Sequence, residues 1–324
     1  RLSLVGSEMC IRDRDYKVWI DGVLYANGSY SRPTGTTNFR WGMYFGANNL
    51  NPPSDFNVLL VSGAQIQSWP GNMATATTTT TKANNTTNLD NGGSWVGGVN
   101  PGIYKQAVWD GTVLAANTTT LASDQDWAGI KIVNPGGLVT INGTATLGLD
   151  DSGVDMSAAT QNLTVNCPVQ LVVASTWGVA PGRTATFTGK ISGFPDLTIN
   201  GGGTVQLSGA NTYSGDTTIS AGTVVANNNS ALGTGQLVLN GGSLSNSLSS
   251  TLGNGVNLSA NATINVSAAQ MLTLNGIIAG TGTLTKNNTG TLTLSGANTY
   301  TGATILSAGT LAIGNTGALL TPPA

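Results

Sequence analysis

Apolar and polar residues alternate with a period of two through most of this 324-residue chain. The alternation comes in short runs, such as TVQLSG from Thr204, QLVLNG from Gln236 and MLTLNG from Met271, with Gly, Asn or Asp between them. A period of two predicts β-strands with one buried and one solvated face, and the separating residues predict tight turns. The chain is therefore predicted to be all-β and to consist of many short strands.

One stretch of the sequence occurs twice. TVQLSGANTYSGDTTISAGTV begins at Thr204, and TLTLSGANTYTGATILSAGTL begins at Thr291, which is 87 residues later. The similarity extends outward to about 184–224 and 271–311. A unit of 87 residues holds about four turns of a β-solenoid, and such a unit buries its apolar edge only against another turn. We therefore predict a right-handed parallel β-helix over residues 92–324, in preference to an immunoglobulin-like sandwich, which favours longer strands and a more aromatic core.

The duplicated phrase closely resembles the autotransporter-associated β-strand repeat found in passenger domains of large bacterial surface proteins. The matching positions are Leu207, Ser208, Gly209, Asn211, Tyr213, Gly215, Thr217, Gly222 and Thr223, and residues 294–310 match again. The resemblance implies export to the cell surface or beyond. It also implies an outer-membrane translocator, which we do not expect within these 324 residues.

Residues 15–69 show strand-length alternation of a different kind, in which Asp21 and Gly22 predict a two-residue hairpin turn. The string FRWGMYFG resembles the closing strand of concanavalin-like jelly-roll polysaccharide lyases. The resemblance implies that Arg40 neutralises a uronate carboxylate and that Tyr44 moves a proton, although the family usually has Lys at the first position. We expect this segment to be the truncated antiparallel tail of a jelly roll.

Two flanking segments differ from the rest in composition. Residues 1–14, RLSLVGSEMCIRDR, concentrate charge and contain Glu8, the only glutamate of the chain. This string resembles a translated sequencing adapter, and we expect it to be an artefact outside the fold. Residues 70–91 are rich in Thr and Asn without a buried periodicity, which predicts a solvated linker, with a glycosylated stalk as the alternative.

The inventory of reactive residues is small. The chain has no histidine, so Ser/His/Asp triads, Cys/His pairs and histidine metal sites are excluded. Asp150, Asp151 and Asp155 in LDDSGVD are candidate Ca²⁺ ligands, with a solvated turn as the alternative. Asp124 and Asp126 in SDQDW are a candidate glycosidase dyad, with a surface turn as the alternative.

Four tryptophans, Trp95, Trp109, Trp127 and Trp177, precede the clear repeats. Trp95 and Trp109 are the candidates for stacking on sugar rings. The alternative is that these rings cap the open end of the coil and shield its hydrogen-bonding edge.

Composition restricts the possible partners and the possible location of the chain. Only 8% of residues are charged and the net charge is -2, without a basic stripe, so nucleic acid is not expected as a partner. There is no apolar run of 18 residues, and we expect no membrane span in this fragment. Cys10 and Cys167 lie in no motif, and Cys167 is expected to be a small buried hydrophobe.

These observations favour a non-catalytic extracellular β-solenoid passenger. Such a passenger would act as a surface stalk or an adhesive scaffold towards polysaccharide or the surface of a host or neighbouring cell. The alternative is a fragment of a secreted polysaccharide lyase or carbohydrate-binding protein displayed on a β-helix stalk. No cofactor is expected apart from the candidate Ca²⁺.

Overall fold

The structure is a computed structural model that describes the backbone of six strands within the first 68 residues and the continuous chain over residues 78–318. It divides into two compact units, Arg1–Ala76 and Thr77–Ala324.

The described strands of the first unit are all antiparallel. Four of them form one sheet in chain order: Leu2–Leu4, Ser7–Arg12, Asp15–Ile20 and Val23–Ser29. Leu59–Ser62 and Gln65–Ser68 form a separate hairpin. Ile20 pairs directly with Val23, so the predicted pairing of these two strands is confirmed, while the turn residues Asp21 and Gly22 lie outside the described residues. The jelly-roll assignment and the adapter origin of residues 1–14 stay predictions.

The second unit is a β-solenoid whose strands all stack in parallel, which confirms the predicted fold class; its handedness stays a prediction. Three faces recur in chain order, and we number them 1 to 3. Face 1 consists of Thr78–Thr81, Lys105–Trp109, Gln125–Ile132, Leu147–Met156, Ser175–Val179, Leu197–Asn200, Thr217–Ile219, Leu237–Leu239, Val256–Leu258 and Ile278–Gly280. Face 2 consists of Asn117–Leu121, Val139–Gly143, Leu163–Val165, Thr184–Phe187, Thr204–Leu207, Thr223–Ala226, Ser243–Asn246, Ala262–Val266, Leu284–Asn287 and Thr304–Leu306.

Face 3 follows face 2 in each turn and is interrupted. Its strands are Val169–Leu171, Ile191–Gly193, Ser250–Leu252, Met271–Leu274, Thr291–Leu294 and Thr310–Ile313. Near the start of the solenoid, two long strands each extend around the corner from face 3 to face 1: Gln125–Ile132 and Leu147–Met156. The pairing between these two strands shifts register at the corner. Between Ile191–Gly193 and Ser250–Leu252, face 3 has no strand.

Turn length follows from the strand register on face 2. Thr184, Thr204, Thr223 and Ser243 are successive neighbours, so the turns between them take 20, 19 and 20 residues. The residues beside them, Ala185, Val205, Val224 and Leu244, stack inward and are buried in one continuous core. The alternation seen in the sequence is thus the alternation between core and solvent.

Corners between faces require left-handed backbone at a few positions. Gly222 and Gly309, which are 87 residues apart, have φ of +72° and +77°. A Cβ at Gly222 would lie 2.2 Å from the carbonyl oxygen of Gly201 in the preceding turn. Only glycine meets both the conformation and the close approach at this corner.

Residues 78–91 are not a solvated linker. Thr78–Thr81 pairs in parallel with Lys105–Trp109 and forms the first strand of face 1. Lys82 and Leu89 are fully buried, and the backbone N–H of Leu89 donates to the carbonyl of Thr120. The Thr run hid this strand because its inward Thr80 carries a hydroxyl group where later strands carry aliphatic side chains. A short 3-10 helix, Gly92–Ser94, follows.

Candidate functional site

The candidate lyase residues Arg40 and Tyr44 lie outside the described residues. Their proposed roles therefore stay predictions. The other candidates lie in the solenoid, where their surroundings are defined.

The tryptophans form a buried cluster at the first turns. Trp95 contacts Trp109 and Trp127 edge-to-face, with ring centroids 5.7 and 5.5 Å away. Indole Nε1 of Trp95 donates to the carbonyl of Leu89 at 2.9 Å, and that of Trp109 donates to Oδ1 of Asn117 at 3.0 Å. Trp95 and Trp109 are 2% and 0% exposed, so neither ring offers a face to a sugar. The three rings fill the start of the core, and the capping alternative stays a prediction.

Trp177 is also buried, in the strand two turns beyond the one that carries Trp127. Its ring stacks on Phe187 with centroids 4.3 Å apart, and its Nε1 donates to the hydroxyl of Ser175. Trp177 and Phe187 therefore fill the core in this part of the solenoid.

Lys82 lies beside this cap with its ammonium group buried. Nζ donates to the carbonyls of Ala83 and Asn85 and to Oδ1 of Asn85, at 2.8–2.9 Å. Burial lowers the pKa of Lys82 to about 8. Sequence analysis missed this residue because the surrounding Thr and Asn residues are typical of a solvated linker.

The candidate Ca²⁺ ligands point to different partners. Asp155 forms an ion pair with Lys131 (Nζ to Oδ2, 2.6 Å) and accepts hydrogen bonds from Ser157. Burial raises the pKa of Asp155, but the bonds from Lys131 and Ser157 outweigh it, so the pKa lies below its ordinary value. Asp150 accepts from the backbone N–H of Asp151. Over residues 78–318 no group of three acidic, Cys or His side chains is placed to hold a metal ion.

Asp126 instead faces the carboxylates of its neighbours. It lies opposite Gly148 in the strand register, and a Cβ at Gly148 would overlap its carboxylate. Burial, and then the charge of Asp124, raise the pKa of Asp126. Burial, and then the charges of Asp151 and Asp126, raise the pKa of Asp150. This surface therefore becomes less negative as the pH falls.

The glycosidase dyad stays a prediction. Oδ1 of Asp124 accepts the backbone N–H of Thr146 at 2.7 Å, an interaction that holds the start of the adjacent turn. The neighbour that the fold brings to Asp126 is Asp150 of the next turn. This neighbour is 24 residues away, and no local motif in the sequence points to it.

The most regular polar site is an asparagine buried in each copy of the duplicated phrase. Oδ1 of Asn211 accepts the backbone N–H of Ile191 at 2.8 Å, and its Nδ2 donates to the carbonyl of Ala231 at 2.6 Å. Oδ1 of Asn298 accepts from Ile278, and its Nδ2 donates to Ala318, in the same way. Each amide thus joins the turn before it to the turn after it, where the loop has no strand to do so.

The tyrosine two residues later completes the site. The hydroxyl of Tyr213 hydrogen-bonds Oγ1 of Thr217 at 2.7 Å, and Tyr300 bonds Thr304 in the same way. Both rings are buried, and burial raises the pKa of Tyr213. The phrase ANTY therefore replaces a strand by one amide bridge and one ring that fills the core.

Lys286 is a second buried lysine, and the alternation contains a signal for it. It occupies an inward position of Leu284–Asn287, where the first copy has Ile199. Nζ donates to the carbonyls of Asn287, Asn288 and Ala308, and burial lowers the pKa of Lys286.

Cys167 is fully buried, as expected, and burial raises the pKa of its thiol to about 12. No helix of the described residues is long and apolar enough to cross a membrane.

Comparison with known proteins identifies the duplicated phrase. The family model of the passenger-associated transport repeat matches residues 197–226 and 284–313. The two matches are 87 residues apart, which is the spacing read from the sequence. No curated protein and no solved structure matches the chain. The chain carries two passenger-associated transport repeats on a β-solenoid, and in both respects it resembles an autotransporter passenger repeat protein.

Proposed function

We propose that the chain serves as a non-catalytic extracellular scaffold of a bacterial secreted protein, acting as a surface stalk or an adhesive arm. The observation that carries the proposal is the amide bridge of Asn211, repeated at Asn298, within the two transport repeats. The bridge ties successive turns together at a loop. Hydrogen bonds of this kind hold successive turns at fixed positions along the solenoid.

The dimensions of the solenoid support a spacer role. Face 2 has ten strands, and at about 4.8 Å per strand they span roughly 43 Å. The outward positions carry small uncharged side chains, as in the column of Thr184, Thr204, Thr223, Ser243 and Thr263. Uncharged columns stack without the repulsion that like charges would suffer at this spacing. An adhesive role would use these hydroxyl and amide groups towards polysaccharide or a cell surface.

The proposal is tested by display of the full chain behind a signal peptide and in front of the translocator of a characterised autotransporter. We expect an amino-terminal epitope to bind antibody on intact cells. Deletion of residues 197–277 joins Asp196 to Ile278, another face 1 position, and so removes four whole turns. The epitope should then lie about 19 Å closer to a membrane dye by energy transfer, at about 4.8 Å per turn.

Three results would overturn the proposal. They are retention of the chain inside the cell, an unchanged distance to the membrane after the deletion, and cleavage of uronate polysaccharides by the purified chain.

A further inference from the structure

Asn-Gly pairs occur at six places within residues 78–318, and the fold surrounds them differently. They begin at Asn91, Asn142, Asn200, Asn240, Asn254 and Asn275. In such a pair the glycine has no Cβ to keep its backbone nitrogen away from the side-chain amide of the asparagine. Attack of this nitrogen on the amide carbon forms a succinimide ring and releases ammonia, and water then opens the ring to aspartate or isoaspartate. Each pair is open to this reaction unless its surroundings hold the asparagine in place.

Three of the asparagines are not held. The side chains of Asn200, Asn240 and Asn275 are exposed, and within the described residues none of the three amides has a hydrogen-bond partner. The N–H of the glycine that follows each of them likewise donates to no backbone carbonyl of residues 78–318. Both reacting groups of these pairs are therefore free to approach each other.

Asn254 is the matched contrast, because the fold holds the same dipeptide. Its side chain is 7% exposed, and Nδ2 donates to the carbonyls of Leu232, Gly233 and Gly235 at 2.7–3.4 Å. The N–H of Gly255 also donates to no backbone carbonyl in the described part of the chain, so the difference lies in the asparagine. Asn254 reacts only when this part of the solenoid opens.

The remaining two pairs are restrained by one hydrogen bond each. Oδ1 of Asn91 accepts the backbone N–H of Gly93 at 2.8 Å, and Oδ1 of Asn142 accepts from Nδ2 of Asn166 at 2.7 Å. We expect them to react at rates between those of the free asparagines and that of Asn254.

We propose that Asn200, Asn240 and Asn275 are sites of spontaneous deamidation in the folded chain, and that the fold protects Asn254. The glycine nitrogen bonds to Cγ, the bond from Cγ to Nδ2 breaks, and the leaving nitrogen takes up the proton as ammonia. Solvent water supplies the oxygen of the new carboxyl group, so the reaction needs no enzyme. The inference is independent of the scaffold proposal, since it concerns the chemistry of the chain itself.

The modification changes the corner that follows face 1. Asn200 and Asn240 lie in one outward column with Ser220 between them, so deamidation places carboxylates on alternate turns of a neutral column. Isoaspartate also adds a carbon to the main chain, where a Cβ on Gly201 would already lie 2.6 Å from the carbonyl oxygen of Val179. The modified corner should therefore pack less closely on the preceding turn.

The test is peptide mass spectrometry of the purified full chain during incubation at mildly alkaline pH, which accelerates the attack. Each event replaces an amide by a carboxyl group, and electron-transfer fragmentation distinguishes isoaspartate from aspartate. We expect Asn200, Asn240 and Asn275 to be modified at least about tenfold faster than Asn254, because the hydrogen bonds of Asn254 must break first.

Two controls separate the fold from the dipeptide. In the urea-unfolded chain Asn254 should react as fast as the other three asparagines. A variant that combines Asn200→Gln, Asn240→Gln and Asn275→Gln should lack the fast events and keep its melting temperature on storage, whereas the stored wild type should melt at a lower temperature. Circular dichroism before storage shows that the variant has the β-structure of the wild type.

Three outcomes overturn the inference. They are an unmodified folded chain after a time in which the unfolded chain reacts, equal rates at Asn254 and at the three exposed asparagines in the folded chain, and a rate difference that persists in urea. A wild type that is modified on storage but melts unchanged would refute the looser packing of the corner.

Discussion

Leu197 and Leu284 occupy the same position in the two transport repeats but lie on different faces of the solenoid. Leu197 stacks on face 1 with Thr217, Leu237 and onward to Ile278. Leu284 begins the next strand along the chain, on face 2. The 87-residue spacing is therefore four turns plus one face. The second repeat has the local structure of the first, but it is rotated by one face about the solenoid axis.

Deletion of residues 197–283 tests whether a repeat depends on its face. The deletion places Leu284 where Leu197 was, on face 1. Each repeat brings its own corner glycine and amide bridge, so we expect a folded solenoid with a single cooperative thermal transition by circular dichroism. Loss of β-structure in this variant, with retention in the whole-turn deletion of residues 197–277, would show that the face itself matters.

The side-chain amide of Asn211 should make a large contribution to the free energy of unfolding. Asn211→Ala leaves the N–H of Ile191 and the carbonyl of Ala231 unpaired in the core. We expect the free energy of unfolding to fall by about 1–3 kcal/mol, measured by urea denaturation. Asn211→Asp should be worse, because it keeps the acceptor but buries a charge and loses the donor.

Asn265→Ala is the control for this prediction, since Asn265 is a half-exposed outward residue of Ala262–Val266. It should change stability little. Equal losses at Asn211 and Asn265 would contradict a bridging role.

Lys82 should make stability depend on pH in the alkaline range. The pKa of Lys82 is about 8 in the folded chain, below the ordinary lysine value of 10.5 that the unfolded chain has. Between these values the unfolded chain binds more protons, so stability rises with pH through this window. The melting temperature of the wild type should therefore increase relative to Lys82→Met from pH 8 to 10. A difference that stays constant with pH would count against a buried, desolvated ammonium.

Asp126 should destabilise the fold at neutral pH. Burial and the charge of Asp124 raise the pKa of Asp126 in the folded state. The protonated carboxyl therefore stabilises the fold, and this stabilisation is lost as the pH rises from the ordinary carboxyl pKa through the raised one. Asp126→Asn removes this charge and should raise the melting temperature at pH 7. Below pH 3.8, where the carboxyl is protonated in both states, the two proteins should melt together; a variant less stable at pH 7 would refute the argument.

Local order was determined by the sequence. The period-two alternation located the strands, and the phrase repeated from Thr204 and Thr291 led to the solenoid and to the transport repeat. These signals are local because each strand of three to five residues decides its buried face by alternation alone. Lys286 also interrupts the alternation visibly at an inward position.

Only the tertiary structure decided what stacks on what. Three features depend on neighbours that are distant in the sequence: the strand at Thr78–Thr81, the burial of Trp95 and the approach of Asp126 to Asp150. The face of each repeat depends on the accumulated lengths of the intervening turns. Alternation gives one side of a strand to the core, but the register between turns, set by backbone pairing and corner geometry, chooses the partners.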